Sequence, residues 1–125
     1  MSDNVISVYT RAQALQDGVL VDVSDLAREA GFKWPVAVTD HLFHSYIVPA
    51  LALVAEGQSI TGRLWDVLMV LRHAIRSSKD DTYLRFSVLF QMSPGSAPIP
   101  VEIVSVAGPD DDGAPCLTLI LEGDD

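Results

Sequence analysis

The spacing of apolar residues changes at Ser77-Ser78-Lys79-Asp80-Asp81, and this change constrains the fold more than any other feature of the chain. Before it, apolar side chains recur at helical intervals; after it, they alternate. Leu84, Phe86, Val88, Phe90 and Met92 are interleaved with Arg85, Ser87 and Gln91, the pattern of a half-buried strand. Residues 101–107 and 116–121 read as two more strands. Between the strands lie 93–100, with three prolines and a glycine, and 108–115, an Asp/Gly/Pro turn. Consecutive strands with short connections predict an antiparallel meander.

The front half reads as helix in pieces. Thr10 and Gln13 have capping-box spacing, and Gly18 closes a short helix. Residues 19–23 are β-prone. Ser24 is placed to cap a second short helix over 25–30, stopped by Gly31. Residues 32–38 read as a loop or short extended piece, because Pro35 keeps Trp34 out of the α region. Thr39 is a good N-cap for a longer helix over about 40–56. Pro49 should kink it, since proline has no amide for the carbonyl of Ser45. Another long helix is predicted over about 60–77. Leu64, Val67, Leu68, Leu71 and Ile75 form its stripe, and Trp65, Met69 and Val70 widen it. The expectation is an α+β fold, a helical N-terminal half packed on a three-stranded antiparallel β-meander. At 125 residues the chain is read as a single domain over 1–125, with a flexible acidic C-terminal end.

Charge and composition narrow the classes of function. The net charge is −9, unevenly spread: residues 1–85 hold ten acids and eight bases, whereas seven acids and no base follow Arg85. Such a surface repels nucleic acid and attracts basic partners, so no direct nucleic-acid contact is expected. The chain is 49% apolar with a mean hydropathy of +0.28, high for so acidic a protein. Excess apolar surface points to an unknown protein partner or a homo-oligomer. Trp65 and Met69, with the acidic turn of Asp110, Asp111 and Asp112, are the candidate partner-binding residues. Cys116 is the single cysteine and lies in a strand pattern, which fits a reducing compartment. No leader-like segment or membrane-length apolar run is visible, so a cytoplasmic protein without membrane contact is expected.

Few residues carry a chemical signal. His41 and His44 share a helix face, and His73 on the other long helix could approach them in an inter-helix metal or enzyme site. Three aspartates in a row do not supply the alternating oxygens of a calcium loop. No strained serine elbow and no glycine-rich phosphate loop is present. No catalytic, cofactor-binding or metal-binding residue is therefore nominated. A non-enzymatic role is the expectation, with a small enzyme or metal-binding protein using the inter-helix histidines as the alternative.

Several segments together carry a resemblance. Tyr9-Thr-Arg-Ala-Gln-Ala, Asp17-Gly-Val-Leu-Val-Asp-Val-Ser24, Ala27-Arg-Glu-Ala-Gly-Phe32 and Pro35-Val-Ala-Val-Thr39 are followed by Arg63-Leu-Trp-Asp-Val-Leu68, Leu71-Arg72 and Gly108-Pro-Asp-Asp-Asp-Gly113. Over roughly residues 8–122 this string resembles an uncharacterised family of small bacterial proteins associated with plasmids, conjugative elements and phage. The resemblance implies an accessory protein of a mobile genetic element. It suggests a role in protein binding, as an acidic inhibitor of a host nucleic-acid-handling or defence system. It transfers no activity, and the His41/His44 pair is not part of the pattern.

Overall fold

The computed structural model describes residues 9–79 and 82–124. Five strands form one sheet: β1 (Leu20–Asp22), β2 (Val36–Thr39), β3 (Tyr83–Phe90), β4 (Ile99–Pro109) and β5 (Pro115–Leu121). Their order is β1-β2-β5-β4-β3. The helices are α1 (Arg11–Gln16), α2 (Ser24–Glu29), α3 (Asp40–Leu42), α4 (Leu51–Val54) and α5 (Ile60–Ser77), with a π-helical turn at Phe43–Ile47.

This corrects the expected helical half on a three-stranded meander. The front half contributes two strands, and the sheet is mixed. β3, β4 and β5 pair antiparallel, but β2 runs parallel to β5, with Val36 opposite Leu117 and Val38 opposite Leu119. The segment read as a loop or short extended piece at 32–38 thus ends in an inner strand. Val36, Ala37 and Val38 are all buried, so the strand lacks the alternation that marks one wet face. Apart from α5, every described helix is six residues or fewer.

Pro49 breaks the helix expected at 40–56 rather than kinking it. Val48 is driven to extended geometry (ψ 115°) by the proline that follows, and its N–H bonds five residues back to Phe43. Ala50 is also extended, and the short α4 starts anew after it. The carbonyl of Tyr46, left behind at the break, is taken up by Arg63 of α5. Nε and Nη2 donate to it at 2.9 and 2.7 Å.

α5 packs its stripe of Leu64, Val67, Leu68 and Leu71 on one face of the sheet. It meets Phe86, Val88 and Phe90 of β3, Ile103 of β4 and Leu119 of β5. The opposite face receives α1. Arg11 crosses to Thr118 Oγ1 (2.6 Å) and the Leu117 carbonyl (3.0 Å), and Ala14 is buried. On the α5 side, Ala27 of α2, Leu42 of α3 and Ile47 of the π-helical turn join the same core, so one face of the sheet is covered far more fully than the other. No helix among the described residues is long and apolar enough to cross a membrane.

Candidate functional site

The acidic turn is occupied by structural work. Asp110 Oδ1 accepts from the backbone of Asp112 and Ala114, both at 2.9 Å, and so closes the β4–β5 connection. Asp111 reaches across to α1 and accepts from the N–H groups of Arg11 and Ala12, again at 2.9 Å. Those are donors a helix start leaves open, and a carboxylate there suits the helix dipole. Of the three, only Asp112 makes no such side-chain bond. Other acids are also engaged. Arg85 meets Glu122 at 3.3 Å, Arg28 pairs with Asp25, and Tyr9 donates to Asp17 at 2.6 Å.

The histidines do not gather. His41 Nδ1 lies 2.6 Å from Asp124, and His44 Nδ1 lies 2.5 Å from Asp40. Among the described residues no group of three or more His, Cys, Asp or Glu side chains could hold a metal. Cys116 is buried on the sheet.

Unpaired charge is found instead on α5 and the loop before β2. Gly31, Phe32, Lys33 and Trp34 face Arg72, Ile75 and Arg76 across an open cleft of about 320 Å³, floored by Leu117. Lys33, Arg72 and Arg76 make no ion pair or hydrogen bond among the described residues. Arg72 is half-buried and backs onto Gly31, where a Cβ would sit 3.3 Å from its Cζ. Gly31 has φ +99°, a conformation that favours glycine, so the cleft wall is built from a residue without a side chain. Trp34 remains 44% exposed at the rim.

Trp65 and Met69 belong to the same side of α5. At about 100° per residue, residues 65, 69, 72 and 76 fall within one flank of the helix, beside the core stripe. Trp65 is 37% exposed, while Met69 is half-buried against the core. The structure thus separates the sequence candidates: Trp65 and Met69 share a flank of α5 with Arg72 and Arg76 but do not line the cleft, and the three aspartates sit at the connection with α1. Lys33, Trp34, Arg72 and Arg76 were not singled out as a site from the sequence. The i, i+4 spacing of Arg72 and Arg76 was a readable sign. Arg63 and Arg85, also bases of this region, are not part of it. Arg63 is buried and bonded to the carbonyls of Tyr46 and Gln91, and Arg85 is held by Glu122.

A family model matches the chain over residues 1–125. The chain belongs to the family of unknown function DUF6573. No curated protein and no solved structure matches it. Membership in DUF6573 supplies no chemistry, so the cleft and the pairing of the charges must carry the functional reading.

Proposed function

We propose that this protein is a non-enzymatic accessory protein that binds another protein, and that its cationic cleft takes an acidic segment of that partner. One observation carries the reading. Among the described residues the side chains of Lys33, Arg72 and Arg76 stand unpaired around an exposed Trp34, in a chain of net charge −9. Exposed cations beside an aromatic ring and an apolar floor suit a short segment that alternates acidic and apolar side chains. The rest of the surface opposes a long polyphosphate, but within a screening length of about 10 Å the three local cations prevail. The setting on a mobile genetic element, and inhibition of a host nucleic-acid-handling or defence protein, belong to this proposal through the resemblance. The proposed docking face is the cleft rather than the acidic turn, whose Asp110 and Asp111 are already engaged within the chain.

Trp34 reports on the site. In a Trp65→Phe background, titration with a short peptide of alternating glutamate and leucine should change Trp34 fluorescence saturably. The change should weaken with added salt and fall at least about tenfold in affinity in Lys33→Ala/Arg72→Ala/Arg76→Ala, a loss of about 1.4 kcal/mol. An unchanged emission, or equal binding by the triple variant, overturns the assignment. Preferential binding of a DNA duplex would also overturn it.

A further inference from the structure

We propose that β3 is a self-association edge, through which two copies of this chain join antiparallel about a two-fold axis at Phe86. Among the described residues β3 is the outermost strand and pairs only with β4. The N–H of Ala107 donates to the carbonyl of Thr82 at 2.8 Å. Antiparallel alternation then turns the backbone of Leu84, Phe86 and Val88 toward β4, and that of Arg85, Ser87 and Leu89 outward.

This edge lacks the usual protection. The register with β4 is continuous from Tyr83 to Phe90, so there is no bulge, and the strand holds no proline. Its single charge, Arg85, is drawn inward across the sheet to Glu122. The opposite edge, β1, is only three residues long.

The strand also matches itself. A two-fold axis normal to the sheet keeps each face on its own side, so only residues of like parity can oppose one another. Centred on Phe86, the pairing sets Arg85 against Ser87 and Tyr83 against Leu89. No like charges meet. The two exposed apolar side chains, Tyr83 (47%) and Leu89 (65%), cover each other. A register centred on Arg85 would oppose two guanidinium groups. Beneath the strand, Asp66 shares a cleft with Leu89 and Phe90. The Asp66 flank of α5 therefore lies along this edge, and half-buried Val70, one turn further on, extends the apolar layer toward the second copy.

Sedimentation of the full chain over a wide concentration range tests the proposal. A monomer–dimer equilibrium is expected, strengthened by salt because each copy carries −9. Leu89→Lys, at an exposed site, should weaken it at least about tenfold without moving the melting temperature at low concentration. Ser87→Pro, which removes an outward N–H, should do the same. Hydrogen exchange at the amides of Arg85, Ser87 and Leu89 should slow as concentration rises. A strict monomer overturns the proposal, as does a dimer that survives both substitutions with those amides still exchanging fast. The cleft reading stands or falls separately, because peptide binding there weakens with salt and does not involve β3.

Discussion

Arg63→Met should be among the most damaging single changes in this protein. Arg63 is only 7% exposed and has no carboxylate partner. It donates to the Tyr46 carbonyl at 2.9 and 2.7 Å, the Gln91 carbonyl at 3.0 Å and Gln58 Oε1 at 2.7 Å. Its Cζ lies 5.0 Å from the centre of the Phe90 ring. Burial pushes its pKa below the ordinary arginine value, and Asp66 acts against that shift. Methionine fills much of the same space but donates nothing. The Tyr46 and Gln91 carbonyls then lose partners at about 1–3 kcal/mol each. Release of a desolvated charge offsets part of this, and the net loss is about 3 kcal/mol. For a domain of this size that lowers the melting temperature by roughly 10 °C. Urea and thermal melts followed by circular dichroism measure it. Arg63→Lys should fall between, since an ammonium keeps the charge but lacks the fork that spans two carbonyls. A melting temperature for Arg63→Met within about 2 °C of the parent, or some 0.5 kcal/mol, would refute the reasoning. The break at Pro49 would then not depend on α5.

Two further pairs of substitutions separate backbone, charge and cleft. Gly31→Ala should cost about 1–3 kcal/mol and also weaken peptide binding, because its Cβ presses on Arg72, whereas Gly95→Ala, at φ +76° with open space around it, should show only the backbone cost and leave binding intact. Thermal melts and the Trp34 titration read the two effects. Asp111→Ala should lose about 1 kcal/mol of stability through the two amides it caps, while Asp112→Ala should stay within about 0.5 kcal/mol, as chemical denaturation would show.

Legibility in the sequence followed the range of the interactions. α5 was readable because its apolar stripe is local. β3 was readable because its burial alternates, and β4 and β5 because each is an apolar run bounded by proline, glycine and aspartate. β2 was not: its residues are buried on both faces, and its parallel partner β5 lies at the other end of the chain. Nothing local distinguishes four such residues after a proline from a loop. Pro49 was seen, but whether it bends or breaks a helix depends on what takes up the freed carbonyl, here a side chain from α5. The cleft was hidden for the same reason. Arg72 and Arg76 are neighbours on a helix, but Lys33 and Trp34 join them only because the loop before β2 crosses that helix.

The segments that carry the family resemblance sort into two juxtapositions in space. The stretch beginning at Tyr9 meets the Asp110 turn, where Asp111 caps α1 and Arg11 reaches β5. In that contact Asp110, Asp111 and Arg11 are each engaged within the chain, and Asp112 alone of the turn makes no side-chain bond among the described residues. The stretch ending at Phe32 meets Leu71-Arg72, where Gly31 makes room for a guanidinium. Here Arg72 is half-buried, and among the described residues its side chain has no acceptor. Keeping a cation partly out of water without a partner is a cost to the fold. A capping contact repays its cost through the helix it secures, whereas Arg72 secures no described element. The same motif string therefore contains one part explained by folding and one part that the acidic segment proposed above would complete.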